Sequence, residues 1–149
     1  MELKLEYDKS LYGKEHVAGP FPISAEIIKD FAKATGETNP VYFDEDEAKT
    51  RGFNNVVAPP TLCTMFVRQV KLPDIKLNFG KNRFHAGQRV SVKRSIEAGD
   101  RLSASSHLKE VYPKTGRSGT MVFIVWETTF TNQHGEVVAD VQESFATRE

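Results

Sequence analysis

The sequence predicts an α+β domain in which an antiparallel β-sheet wraps around one central helix. Three observations carry that prediction. Up to about residue 80 the apolar residues fall at helical spacing, and from Arg83 onward they alternate. Within the first part lies "NNVVAPPTLCTMFVRQV", a segment that is apolar on most of its surface behind a pair of prolines. Strands that follow helices in a run, rather than alternating with them, indicate antiparallel pairing. At 149 residues the chain reads as one domain, 1–149, able to bury a core without disulfides or metal.

Ser24 is the first helix signal, with Ile27, Ile28, Phe31, Ala32 and Ala34 forming the stripe behind it. Gly36 ends this helix at the position where a left-handed conformation is needed, which glycine adopts without steric cost. Asp44 then caps a short acidic turn that stops at Gly52. Pro60 suits the first turn of a helix, predicted over Thr61 to about Val70 and buried. The strand block opens with "FHAGQRVSVKRSI", alternating through Val90, Val92 and Ile96, and turns at "EAGD". "RLSASSHLKEVY" is a second strand closed by a loop, "PKTGRSG". "TMVFIVWETTF" is a third, and its few polar interruptions predict a central strand covered on both faces, a second subunit being one source of cover. A hairpin loop, "TNQHGE", leads to the fourth strand, "VVADVQESFATR".

Twenty basic and twenty acidic residues cancel, so no general pull toward nucleic acid or an anionic membrane is expected. No apolar run approaches the ~20 residues that span a bilayer. The N-terminus, MELKLEYDKS, is too charged for a signal peptide, and a cytoplasmic protein is expected. The single cysteine, Cys63, sits in an apolar run and reads as a buried small hydrophobe. No histidines or acids fall at metal-ligand spacing, so no metal site is expected. The runs "GKNR" (80–83) and "KR" (93–94) are either solvated faces or contacts for the phosphates of a carrier arm. His16, His107 and His134 read as surface or loop residues.

The densest cluster of polar chemistry is "FAKATGETNPVYFDEDEA", residues 31–48, where Glu37, Asn39, Pro40 and Tyr42 follow a helix-ending glycine. With "VVAPPTL" and "FHAGQRVSVKRSIEAGDRL", and with the closing "FIVWETTFTNQHGEVVAD", this stretch resembles the MaoC-like dehydratase/hydratase family. The resemblance is in particular to the FAS1-type MaoC N-terminal dehydratase domains, and it runs from about Val17 to Phe145. It implies the hotdog fold, and the element order agrees with that fold.

Catalytic members carry a motif of the form G-D-x-N-P-x-H, in which the aspartate and histidine hold a water against the double bond of an enoyl thioester. Hydration needs a base for the water and an acid for the α-carbon, so two titratable groups must face one small pocket. The thioester oxygen gains negative charge and needs N–H donors aimed at it. This chain matches the motif at Gly36, Asn39 and Pro40, and carries Glu37 and Tyr42 where the motif has aspartate and histidine. The longer side chain moves the carboxylate by ~1.5 Å, a misplacement of the size that can cost about a hundredfold in rate. A tyrosine with a pKa near ~10 is protonated at neutral pH; it can donate a hydrogen bond but is no facile base. Pro60, which lacks an N–H, stands at or beside the position where hydrating relatives often carry a glycine entering the central helix, and with the turn shifted by one residue the Thr61 N–H can substitute as donor.

The resemblance therefore implies an (R)-specific enoyl hydratase/3-hydroxyacyl dehydratase of coenzyme A or acyl-carrier-protein thioesters. It needs no cofactor beyond the arm its substrate carries. Glu37 and Tyr42 hold the positions of the catalytic pair; Asn39, Pro60, Thr61, His85 and Gly87 are the candidate substrate-binding residues. The expected assembly is a homodimer, or a heterodimer with a MaoC-like subunit, joined edge to edge with the acyl tunnel at the interface. Within that class the favoured reading is a subunit that shapes the acyl pocket for a partner carrying the intact motif. An active homodimer using Glu37 with Tyr42, and a non-enzymatic thioester-binding module, stay open.

Overall fold

The computed structural model describes residues 3–149, so positions 1 and 2 of the expected domain lie outside the described residues. The first strand, β1 (His16–Pro22), leads into helix α1 (Ala25–Ala34). Ser24 starts the helix by accepting the Ile27 N–H on its hydroxyl oxygen at 3.1 Å. Gly36 ends it at φ +76°, which lets the Gly36 and Glu37 N–H groups fold back onto the carbonyls of Lys33 and Ala32. Ile28 and Ala32 are fully buried, whereas Ala34 is exposed, so the apolar stripe narrows before the last turn. Asp44 caps α2 (Glu45–Thr50) through the N–H groups of Asp46 and Glu47, as its acidic position predicts.

The helix predicted over Thr61 to about Val70 is shorter than expected. Only α3 (Thr64–Val67) is α-helical, and the residues around it are held by bonds to the third residue back, such as Leu62 N–H to Pro59 C=O and Val70 N–H to Val67 C=O. Leu62, Cys63, Val67 and Val70 are buried while Met65 is 46% exposed, so the segment buries one side only. Two prolines remove N–H donors at its start, and tight turns need fewer aligned donors than a long helix.

Four long strands follow: β2 (Asn82–Val92), β3 (Arg101–Gly116), β4 (Gly119–Thr131) and β5 (Val137–Arg148). With β1 they form one antiparallel sheet in the order β1-β3-β4-β5-β2, the hotdog arrangement expected. β2 ends at Val92, so buried Ile96 belongs to the following loop and not to the strand. The expected loop "PKTGRSG" is mostly strand, since β3 continues to Gly116 and only Arg117 and Ser118 form the turn. Pro113 is tolerated there because β1 pairs with β3 only as far as Ser106, leaving the later half of β3 as an edge where a missing N–H breaks no ladder.

β4 lies at the centre of the sheet, but its two faces are not equally covered. Val122, Ile124, Trp126, Thr128 and Phe130 are buried on the inner face, and of the outward residues only Val125 is buried. The outward apolar residues pack within the sheet instead, with Phe123 stacked on Tyr112 at 5.2 Å. Two clusters fill the inner face. One joins Phe130, Ala104, Leu102 and Val141 to Ile28, Leu62, Cys63 and Val67 under α1 and α3. The other joins Leu108, Ile124 and Trp126 to Leu11 and Ile75, where the N-terminal segment is tied down by Asp8 N–H to Ile75 C=O. Ser106 and Thr128 share a buried hydroxyl pair at 2.6 Å on the same face.

Candidate functional site

The turn that carries the motif is held by its own hydrogen bonds. Asn39 accepts the Val41 N–H on its side-chain oxygen at 3.1 Å, and Pro40 opens a single 3₁₀ turn, Pro40–Tyr42. The Phe43 and Asp44 N–H groups both return to the Pro40 carbonyl. Asn39 thus spends its oxygen on the turn itself, as asparagine does when it imitates a backbone turn. Tyr42 is half-buried beside Val41, Ala48, Val57 and Phe53. Glu37 is half-buried at the helix exit. Among the described residues, neither the Glu37 carboxylate nor the Tyr42 hydroxyl has a hydrogen-bond partner.

The turn and the start of the apolar segment are joined. The Val57 N–H donates to the Val41 carbonyl at 3.1 Å, and the Ala58 N–H donates to Ile96 at 2.7 Å. This places Pro59, Pro60 and Thr61 two to four residues along the chain from Val57, which bonds the motif's own backbone. Thr61 is exposed, its carbonyl accepts from Thr64, and its N–H has no acceptor among the described residues.

His85 and Gly87 are elsewhere. They sit near the start of β2, on either side of a bulge at Ala86, whereas the motif turn reaches the sheet through Val57, which bridges Glu97 beyond the end of β2. From His85 to Val92 alone is roughly 23 Å of strand. Within one chain the candidates therefore divide in two: Glu37, Asn39, Tyr42, Pro60 and Thr61 at one end, His85 and Gly87 at the other.

The second group has a feature that the sequence reading missed. His85 Nε2 lies 2.8 Å from Glu143 Oε2, and Gln88 Nε2 donates to the same oxygen at 3.5 Å. Glu143 is 6% exposed, and His85 meets Phe145 edge-on at 5.4 Å. Beside them a cleft of ≈ 280 Å³ is lined by Leu72, Asp74, Arg83, Trp126 and Phe145. The signal was present in "VQESF", where an acid takes the inward place of an alternation between Val141 and Phe145.

Two histidines are also not surface residues as expected. His16 lies on β1 edge-on to Trp126 at 5.8 Å, with its Nε2 buried and unpartnered among the described residues. His107 lies on β3 between Glu15 and Glu127, at 3.5 and 3.6 Å. The Glu127 carboxyl is pushed up by burial, but hydrogen bonds from Lys109 and Gln142 and the charges of Lys109 and His107 outweigh that and hold it below its ordinary value. His134 lies in the β4–β5 loop and is exposed, as expected. Burial pushes the Cys63 thiol up to about 11, which suits the inert core residue expected.

The family model for the FAS1-like dehydratase domain region matches residues 10–141. A UPF0336 protein of Streptomyces avermitilis is 31% identical over 115 residues, covering 73% of this chain and 76% of its own length. Among solved structures, the C-terminally truncated HadBC (3R-hydroxyacyl-ACP dehydratase) complex from Mycobacterium tuberculosis superposes with a TM-score of 0.78 at 23% identity, covering 93% of this chain and 98% of the matched chain. The R-hydratase PhaJ1 from Pseudomonas aeruginosa gives 0.66 at 24% identity, covering 91% of this chain and 79% of the matched one.

Proposed function

As the chain belongs to the FAS1-like dehydratase domain region family, we propose that it serves (R)-specific enoyl hydration and 3-hydroxyacyl dehydration of coenzyme A or acyl-carrier-protein thioesters, as the substrate-binding subunit of a pair. The partner is a MaoC-like chain with the aspartate and histidine of the motif intact. One observation carries this reading: the motif turn is fully formed, while its two open side chains are Glu37 and Tyr42.

The chemistry follows from those groups. Hydration of an enoyl thioester adds water across the double bond, so one group takes a proton from the water as another delivers a proton to the α-carbon. A phenol that is protonated at neutral pH can donate a hydrogen bond but does not shuttle protons as an imidazole does. In this chain Glu37 and Tyr42 orient the thioester, and the partner's pair moves the protons. The free Thr61 N–H is the donor suited to the thioester oxygen, beside Pro60, which has none. His85 and Gly87 serve a different part of the ligand, at the far end of β2. A fold relative crystallised as a complex under a dehydratase name supports a two-subunit arrangement.

The test is hydration of crotonyl-CoA by the purified chain, followed by loss of the enoyl absorbance. The expected result is thioester binding with negligible turnover alone. Strong turnover by the chain alone, abolished in Glu37→Ala, refutes the subunit reading and makes Glu37 the base.

A further inference from the structure

Ordinary strand alternation does not put residues 85 and 88 on one face of a sheet, because side chains three apart point to opposite sides. In β2 they share a face. The bulge at Ala86 inserts one residue between the pairs His85–Phe145 and Gly87–Ser144, so the alternation resets. Gln88 lies opposite Glu143 across the ladder, and the bulge aims His85 at the same carboxylate. Both side chains end on one atom, Glu143 Oε2, at 2.8 Å from His85 Nε2 and 3.5 Å from Gln88 Nε2.

That atom fixes the imidazole. An amide nitrogen has only protons to give, so Oε2 accepts from Gln88, and as a carboxylate oxygen it accepts from His85 as well. The shared proton therefore sits on His85 Nε2, and a neutral ring carries its lone pair on Nδ1. Nδ1 has no partner among the described residues. The two members of the pair also differ in access, the Glu143 side chain being 8% exposed and the His85 side chain 37%. Burial of the carboxylate accounts for the closed side of the ring but not for the open one. Phe145 meets the ring edge-on at 5.4 Å, and with Leu72, Ile124 and Trp126 it forms the apolar side of the ≈ 280 Å³ cleft.

We propose that Glu143 is a positioning residue: it locks His85 in the tautomer that leaves Nδ1 as an acceptor beside this cleft, where Nδ1 takes an amide N–H of the arm that carries the acyl thioester. This rests on the functional reading above for the class of ligand, and adds which part of the ligand His85 meets and what holds His85 ready for it. The acceptor decides the part. An acyl tail has no N–H or O–H beyond its 3-hydroxyl, and that hydroxyl belongs with the reacting carbons at the motif turn. The carrier arm has amide N–H groups with apolar carbons beside them, which suit an acceptor next to an apolar cleft.

The test uses the purified chain with nitrogen-labelled histidine, and pantetheine as an uncharged probe of the arm. Long-range nitrogen–proton spectra at about pH 8, above the ordinary imidazole range, read which ring nitrogen carries the proton. His85 is assigned by its proximity to Phe145. The expected result is a proton on Nε2 and a Nδ1 resonance that moves when pantetheine is added. H85Q separates the two roles, because the glutamine amide reaches the place of Nε2 and leaves nothing at Nδ1. Its urea midpoint should stay at the wild-type value while pantetheine affinity falls roughly tenfold, the scale of one hydrogen bond. E143Q, whose amide both donates and accepts, should fold and show a mixture of tautomers with weaker pantetheine binding. Circular dichroism establishes folding, and where H85Q does not fold the wild-type spectra decide.

Four results overturn the proposal: a proton on Nδ1, protons on both nitrogens, a Nδ1 resonance that pantetheine does not move, or an H85Q chain that binds pantetheine as tightly as the wild type. Methyl 3-hydroxybutyrate, which has a hydroxyl and no amide, is the competing probe. If it moves the Nδ1 resonance and pantetheine does not, His85 belongs to the acyl end and the assignment to the arm is overturned. None of these readouts involves turnover, so their failure leaves the hydration reading standing, and a failed hydration assay leaves the tautomer measurement intact.

Discussion

Glu143 holds a carboxylate out of water with the help of His85 and Gln88. Removing a partner from a buried polar group exposes its full desolvation cost, so His85→Ala should destabilise the chain by about 1–3 kcal/mol. Glu143→Gln should cost less, because the amide keeps a hydrogen bond without a charge to bury. Urea unfolding measures both, and an unchanged midpoint for His85→Ala would show that the pair contributes nothing. Cys63 offers a pH test. Its folded thiol is raised from 9.0 to about 11 by burial, so the unfolded chain releases the proton first. The stabilising contribution is complete below pH 9 and is lost as the pH rises toward 11. The native thiol should resist a thiol reagent at pH 8 and react on unfolding. At this scale the motif turn was legible because glycine, asparagine and proline act on their own neighbours. The His85–Glu143 pair was not, because its members are 58 residues apart in the chain.

Among the elements, legibility follows whether a pattern closes locally. β5 occupies Val137–Arg148, the span of "VVADVQESFATR", because a run that alternates through Ala139, Val141 and Glu143 follows a turn. The apolar segment behind the prolines predicts a longer helix than α3, since an apolar run does not distinguish bonds to the third residue back from bonds to the fourth. Pro113 looked like the start of a loop because sequence cannot show where β1 stops covering β3. Two glycines separate backbone strain from steric exclusion. Gly36 has φ +76° with open space where a Cβ would stand, so Gly36→Ala should cost about 1 kcal/mol from conformation alone. Gly80 has the same φ, but its Cβ would strike Thr147 Oγ1 and lie 2.9 Å from the Arg148 carbonyl. Gly80→Ala should therefore lower thermal stability clearly more than Gly36→Ala. Equal losses would mean that the β2 start relaxes away from β5.

At the scale of the molecule the chain is a hotdog sheet whose inner face is closed and whose β2 has a strand neighbour on one side only among the described residues. Its candidate groups lie at opposite ends of that edge strand, one set around the motif turn and the other around His85. An antiparallel partner at β2 would run its own strand start toward this chain's motif end, so a ligand along the edge would meet groups from both subunits. We propose that this chain keeps the frame of a hydratase site, in Gly36, Asn39 and Pro40, while Glu37 and Tyr42 stand in for its proton-moving pair. Glu37→Asp/Tyr42→His restores G-D-x-N-P-x-H within that frame, and the direct measurement is crotonyl-CoA hydration by the purified double variant beside the wild type. Negligible turnover is expected from the wild type, with a gain of at least about a hundredfold in the variant, the scale of a correctly placed acid–base pair. Strong turnover by the wild type that falls in the double variant would contradict it.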